Sequence, residues 1–288
     1  MVFFGSSEFS VYALDELLLH NIKPDLIITT PDKPKGRKLV LTPNIVKTWG
    51  EQNNISVLDP SRLKDPDLIY NLQSKNYDLF LVASYGKIIP KEIFEIPPHK
   101  TLNIHPSLLP KYRGASPIQS QILNDEKDIG VTIMQIEETM DTGPILIQKE
   151  TPPTPPLDQG REGRIELEKR LAIEGARLFA HILPEWLSGV IQPIMQNENT
   201  ATYCEKIEKP DGELNLEDDP YKNLLKIKAF EGWPGTYFIK NGKRVIVKNA
   251  KIDPSTGSGQ AKLEILRVVP EGKSEMSFED FLRGQRWF

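Results

Sequence analysis

Residues Thr101–Pro110 read TLNIHPSLLP, an apolar run that carries an asparagine and a histidine two positions apart. In an extended chain successive side chains point to opposite faces, so Asn103 and His105 stand together while Leu102 and Ile104 face the other way. Pro106 has no amide hydrogen to give to a ladder and ends the pairing immediately afterwards. The stretch is a strand that finishes on two polar groups, and that ending is either a polar edge or a site.

The residues upstream bear on the choice. VFFG and DLIITT read as short buried strands, with apolar residues at helical spacing in SEFSVYALDELLLH between them. A turn-rich basic loop, TPDKPKGRKLVLTP, precedes the helical-looking NIVKTWGEQN. SVLDP, DPDLIYNLQSKN and YDLFLVAS then supply strand, helix and strand. Strands that are apolar on both faces and alternate with helices predict an open α/β domain whose sheet is mostly parallel, with helices on both sides. Ligands in such sheets collect at the carboxyl ends of the strands, which is where Asn103 and His105 sit.

Downstream, Ser116 and Pro117 form an N-cap and first-turn pair for a helix through IQSQILN. VTIMQIEE and PILIQKE read as two strands joined by a turn that contains Met140, Asp141, Thr142 and Gly143. The Pro-rich TPPTPPLDQG leads to a long amphipathic helix, IELEKRLAIEGARLFAHILPEWL. After a polar, irregular stretch, TYFIK, RVIVKNAKI and KLEILRVVP are bounded by turn residues and predict a small β-barrel or sheet. Ser277 and Asp280 make a capping box for a last helix. The expected organisation is a domain over residues 1–187, a linker over 188–203, and a small C-terminal β-barrel domain over 204–288.

Composition narrows the classes of function. With 288 residues, 39% of them hydrophobic, the chain can build one large core or a large and a small one. Cys204 is the single cysteine, so no internal disulfide forms, and the four histidines show no metal-ligand spacing. A reducing, cytoplasmic setting fits this best. No apolar run is long enough to span a membrane, and the N-terminus enters a strand-like run without the basic flank of a signal peptide. The net charge of −4 argues against gross nucleic-acid binding, yet Lys222 to Lys251 holds eight basic residues against one acidic residue, Glu231. Such a cluster either releases counterions from a phosphate backbone or is a solvated face of a small β domain.

If Asn103, His105 and Asp141 meet where neighbouring strands end, they form a recognisable set. An asparagine amide cannot act as a base but donates hydrogen bonds well, which suits it to a developing oxyanion. A histidine beside it can donate when protonated or move a proton, and an aspartate within reach favours the imidazolium and fixes its orientation. The set suits acyl transfer through a tetrahedral intermediate, with the attacking group supplied by the substrate. No serine sits in a nucleophile-elbow pattern, and GSSEFS after the first strand lacks the glycine spacing of a dinucleotide loop.

NIHPSLLPKYRGASPIQ, followed by TIMQIEETMDTGPIL, resembles the folate-dependent formyltransferase superfamily, whose members use an Asn, His and Asp trio to move a formyl group from 10-formyltetrahydrofolate to an amine. FFGSSEFSVYALDELL, TTPDKPKGRKLVLTPNIVK, ASYGKIIPKEIF, YCEKIEKPDGELN, FEGWPGTYF and MSFEDFLRGQRWF narrow the resemblance to the methionyl-tRNA formyltransferase branch. The resemblance implies a Rossmann-like formyltransferase domain followed by an OB-like β-barrel, and transfer of formyl to the methionine of charged initiator tRNA for translation initiation. It implies Asn103 and His105 as oxyanion donors, His105 also handling protons, and Asp141 holding the charge state of His105. The implied folate pocket comprises Tyr85, Gly86, Ile88, Ile89 and Pro90 in one loop, Ser107, Leu108, Leu109 and Pro110 as a wall, and Met140, Thr142 and Gly143 in the turn.

For the RNA partner the resemblance implies contacts from the basic loop, Lys33, Lys35, Arg37 and Lys38, and from Lys240, Lys243, Arg244 and Lys248. Arg37 stands out because a guanidinium makes bidentate contacts with phosphate or a base edge. The resemblance implies 10-formyltetrahydrofolate as co-substrate, with no metal, and a monomer with no membrane partner. Two departures from the family pattern are Gly-Arg-Lys where a second glycine often follows the arginine, and a short C-terminal domain in which DPSTGSG, residues 253–259, replaces a longer β segment. A formyltransferase for a nucleotide-linked amino sugar, and a non-catalytic RNA-binding protein on the same scaffold, stay open as alternatives.

Overall fold

The computed structural model describes residues 1–35, 39–152, 155, 161–253 and 262–285. Its elements begin with β1 (Val2–Phe4), α1 (Glu8–Leu19), β2 (Leu26–Ile28), β3 (Lys33–Lys35), β4 (Val40–Thr42), α2 (Ile45–Gln52) and β5 (Ser56–Leu58). There follow α3 (Pro66–Ser74), β6 (Phe80–Val82), α4 (Lys91–Phe94), β7 (Thr101–His105), β8 (Arg113–Gly114), α5 (Pro117–Leu123), β9 (Gly130–Gln135) and β10 (Ile145–Glu150). The chain closes with α6 (Arg164–Leu187), β11 (Tyr203–Cys204), α7 (Pro220–Ala229), β12 (Thr236–Lys240), β13 (Lys243–Asp253), β14 (Lys262–Pro270), β15 (Met276–Ser277) and α8 (Phe278–Gln285).

Two compact units result. The first comprises Met1–Gly114, Gly130–Thr151 and Glu168–Tyr203. Its seven-stranded sheet runs in the order β10-β9-β7-β6-β1-β2-β5. The strands from β5 to β7 are parallel, while β9 pairs antiparallel with β7 and β10 antiparallel with β9. The central strands are apolar on both faces because both faces are covered, and Val2, Phe4, Ile28, Phe80, Leu72 and Ile93 belong to one buried cluster. Asn44 and Asp65 start α2 and α3 by accepting the amides of Val46 and Asp67, which otherwise lack partners at a helix start.

One close contact positions the strand that ends in Asn103 and His105. A Cβ on Gly175 of α6 would come within 2.3 Å of Cγ2 of Ile104, so a hydrogen is all that fits where the helix crosses β7. Residues 188–203 also belong to this unit, and Ile194 exchanges backbone hydrogen bonds with Ile145 at the start of β10. The segment TPDKPKGRKLVLTP, expected as a loop, contains the hairpin β3–β4, in which Lys33 lies opposite Thr42 and Lys35 opposite Val40.

The second unit comprises Ala115–Ile129, Pro152–Leu167 and Cys204–Phe288. Its antiparallel sheet has the order β12-β13-β14-β15 and is open: among the described residues no pairing closes it into the expected barrel. Phe238, Phe278 and Phe281 pack together on one side, with ring centroids 5.9–6.4 Å apart. The expected last helix is present, and Ser277 Oγ accepts the Asp280 amide at 3.1 Å. Helix α7 was not expected, although Asp219 caps it by accepting the Lys222 amide and Pro220 opens its first turn.

Candidate active site

Asn103 and His105 occupy the carboxyl end of β7, with Asn103 beside Val82 of β6 and Met134 of β9, and His105 beside Thr132 of β9. The Asn103 amide is half-buried and makes no side-chain hydrogen bond among the described residues, so its two N–H groups are open to a ligand. His105 is 3% exposed. Its Nε2 lies 3.1 Å from the Tyr112 carbonyl, which can only accept, so Nε2 carries a hydrogen. Nδ1 is then the ring nitrogen left for chemistry, and it faces Asp141 Oδ1 at 3.7 Å.

Asp141 is the third member of the set, and several contacts fix it. It has φ +57°, a left-handed conformation that costs a non-glycine residue energy unless its surroundings hold it. Its Oδ2 accepts the Gly114 amide at 2.8 Å, and its own carbonyl accepts Gln196 Nε2 at 2.8 Å. The same Gln196 nitrogen donates to the Gly143 carbonyl at 2.8 Å, so both ends of the Asp141–Gly143 turn are tied to one side chain. A Cβ on Gly143 would fall 2.0 Å from the Gln135 carbonyl oxygen, which presses the turn against the end of β9.

The expected folate-pocket residues divide by environment. Gly86 donates its amide to Ser6 Oγ at 3.0 Å. Ile88 is 80% exposed, whereas Ile89 and Pro90 are buried. Tyr85 packs edge-on against Phe4, and its hydroxyl is buried without a partner among the described residues. Burial pushes the Tyr85 phenol up to about 12. Ser107 and Leu109 are buried, and the loop they share with Leu108 and Pro110 is stitched to β9 by Thr132 Oγ1, which donates to the Ser107 carbonyl and accepts the Leu109 amide. Met140 is exposed, and Thr142 Oγ1 donates to the Thr139 carbonyl at 3.1 Å.

Of the expected RNA contacts, Lys33 is exposed on β3, and Lys35 is on the same strand. Arg37 and Lys38 lie outside the described residues. Lys87, in the loop with Ile88, has its ammonium held below its ordinary range first by burial and then by the charge of Lys33. In the second unit Lys240, Lys243 and Lys248 are exposed and make no ion pair among the described residues. Arg244 stacks its guanidinium 3.6 Å from the centroid of the Tyr237 ring. Lys251, at the end of the cationic run, is paired with Glu264 at 3.1 Å.

Sequence reasoning missed Tyr112, Gly114, Arg113 and Gln196. The first two act through main-chain groups, which no side-chain pattern reveals. Arg113 was visible inside KYRGASP but carried no sign of burial, and Gln196 sits in a stretch that read as linker.

A donor amide, a histidine and a carboxylate stand at the open end of a mostly parallel sheet, an arrangement able to hold an oxyanion and move a proton. The chain matches the family model described as "Formyl transferase" over residues 1–180 and "Formyl transferase, C-terminal domain" over residues 206–262. A methionyl-tRNA formyltransferase from Thermodesulfovibrio yellowstonii is 37% identical, the match covering 99% of this chain and 96% of that protein. The chain belongs to the methionyl-tRNA formyltransferase family. Among solved structures, a methionyl-tRNA formyltransferase from Clostridium thermocellum shares the fold with a TM-score of 0.58 at 17% identity, covering 93% of this chain and 97% of that one. An N-formyltransferase from Helicobacter canadensis, solved with folinic acid and dTDP-3-aminofucose, shares it with a TM-score of 0.64 at 19% identity, covering 92% and 97%.

Proposed function

We propose that this chain moves the formyl group of 10-formyltetrahydrofolate to the α-amino group of the methionine carried by initiator tRNA. The observation that carries this reading is the full-length likeness to a methionyl-tRNA formyltransferase, with the amide of Asn103 open beside His105 and Asp141. The amine lone pair attacks the formyl carbon and the carbonyl π pair moves to oxygen, where Asn103 donates a hydrogen bond. As the tetrahedral intermediate collapses, the bond to folate N10 breaks, N10 takes a proton, and the amine nitrogen gives one up. His105 relays that proton through Nδ1, because Nε2 is engaged by the Tyr112 carbonyl. Asp141 stabilises the charge that passes through the imidazole.

The folate-type donor lies along the Tyr85–Pro90 loop and the Met140–Gly143 turn in this reading, with Ser107 to Pro110 as its wall. The exposed Ile88 supplies an apolar face for a planar ring. Lys33 and Lys35 contact the RNA from the N-terminal hairpin and Lys240, Lys243, Arg244 and Lys248 from the C-terminal sheet, with Arg37 and Lys38, outside the described residues, as further contacts. Residues 1–187, with the 188–203 stretch that belongs to the same unit, carry the chemistry, and 204–288 add affinity for the polyanion.

The test is to incubate the purified protein with 10-formyltetrahydrofolate and either methionyl initiator tRNA or a nucleotide-linked amino sugar, and to measure the N-formylated product. Formylmethionyl-tRNA is expected. Product on the sugar alone would overturn the choice of acceptor, and no product on either would leave the fold as an RNA-binding scaffold.

A further inference from the structure

Arg113 is among the largest fully buried side chains of the protein. An isolated buried charge is costly, so its partners must be accounted for. Nη1 and Nη2 make a bidentate pair with the Glu198 carboxylate at 2.9 and 2.7 Å, and Nη1 also meets the Tyr203 hydroxyl at 2.9 Å. Glu198 holds the guanidinium above its ordinary range, and Arg113 holds the Glu198 carboxyl below its own. The remaining edge, Nε and Nη2, donates to Gln196 Oε1 at 3.0 and 2.8 Å.

That last contact has a directional consequence. A guanidinium can only donate, so it fixes which end of the Gln196 amide is oxygen. The nitrogen end must point the other way, and its two hydrogens go to the carbonyls of Asp141 and Gly143. Arg113 thus orients the glutamine that ties down both ends of the turn, while the next residue, Gly114, gives its amide to the Asp141 carboxylate. Asp141 sits in a left-handed conformation and stands 3.7 Å from His105 Nδ1, a separation that a small rotation of the turn would lengthen.

We propose that Arg113 and Gln196 are positioning residues for the formyl transfer: the guanidinium sets the Gln196 amide, and the amide holds the turn so that the Asp141 carboxylate faces His105 Nδ1. The assignment rests on the acceptor and donor given above for the reaction, and it is made of residues within the first unit. Gln196→Glu is the sharpest variant, because it keeps an acceptor for Arg113 but sets carboxylate oxygen against two carbonyl oxygens. A glutamine that served only to cover Arg113 would tolerate the change.

The experiment has a part that needs no turnover. In unliganded protein carrying ¹⁵N-labelled histidine, the His105 Nδ1 resonance is expected to move in the same direction in Gln196→Glu as in Asp141→Asn. In the formylation assay, kcat is expected to fall on the order of a hundredfold, the scale of an ångström misplacement, with the KM for methionyl-tRNA little changed. In an Asp141→Asn background the same substitution is expected to cost almost nothing more, because it acts through Asp141. An unmoved resonance, a wild-type kcat, or full additivity with Asp141→Asn would each overturn the proposal. Arg113→Lys, which keeps the charge but cannot serve Glu198 and Gln196 together, supplies the same three readouts if Gln196→Glu does not fold. Absence of turnover in the wild-type protein would remove the proposed reaction but leave the resonance test standing.

Discussion

The end of the parallel sheet and the face of the C-terminal antiparallel sheet treat polar side chains in opposite ways. At the first, nearly every group has an assigned partner: His105 is held by Tyr112, Asp141 by Gly114, and the turn by Gln196. Among the described residues the Asn103 amide makes no side-chain hydrogen bond and is left open. At the second, Lys240, Lys243 and Lys248 stand exposed without carboxylates among the described residues, and Lys240 even lies directly opposite Lys243 across the β12–β13 hairpin. Like charges in that relation destabilise a sheet. Chemistry needs direction, which partners supply, whereas holding a polyanion needs free charge, which partners would cancel.

Four measurements would break or sharpen this contrast. The largest effect is expected for Asn103→Ala, which removes an open donor and should lower kcat by about a hundredfold to a thousandfold with an unchanged thermal midpoint. Near-normal turnover would show that the oxyanion is held elsewhere. Next, Gly175→Val should cost about 1–3 kcal/mol of stability by overpacking against Ile104, and kcat should fall with it because Ile104 lies between Asn103 and His105. Chemical denaturation and steady-state kinetics on the same preparation check both parts.

A smaller, graded effect is expected in the second region. Replacing Lys240 and Lys243 together by alanine should flatten the salt dependence of tRNA binding by about two charges in its logarithmic slope, while the melting temperature holds or rises. A loss of kcat at saturating tRNA, with the slope intact, would erase the distinction between the regions. The smallest effect is expected for Tyr85→Phe, which removes a buried hydroxyl that has no partner among the described residues. Stability should rise by about 1 kcal/mol, and a fall on denaturation would reveal a partner such as a bound water.

Much of this contrast was legible before any coordinates. The alternation in TLNIH fixed which two residues share a face, and Pro106 fixed where the strand stops, because both depend only on local geometry. The two strands flanking the Asp141 turn were equally plain, since β9 is largely apolar, β10 opens on Ile-Leu-Ile, and turn residues lie between them. The hairpin β3–β4 was hidden by Pro34, which argues against a strand and is tolerated here in a two-stranded pair. Helix α7 carried its Asp-Pro start signal in DDPYKNLLKIKA, but its lysines drew it into the basic cluster. The barrel was read from short, turn-bounded strands, which suit a barrel or a sheet alike, and from the resemblance, whereas the described strands form an open sheet. Gln196 had no local signal, since its importance comes from Arg113, distant in sequence and brought to it by the fold.

The hairpin β3–β4 also has a consequence for handling the protein. Leu39, Val40 and Leu41 are 72%, 60% and 65% exposed on and beside a strand whose other edge is unpaired among the described residues. Such an edge invites pairing with a second chain, and a neighbouring lysine such as Lys33 opposes it by charge repulsion. Neutralising Lys33 would thus promote self-association in the test tube, and the resulting loss of soluble protein could pass for a loss of RNA affinity. Lys33→Glu, which reverses the charge but keeps the repulsion between copies, separates colloidal behaviour from recognition.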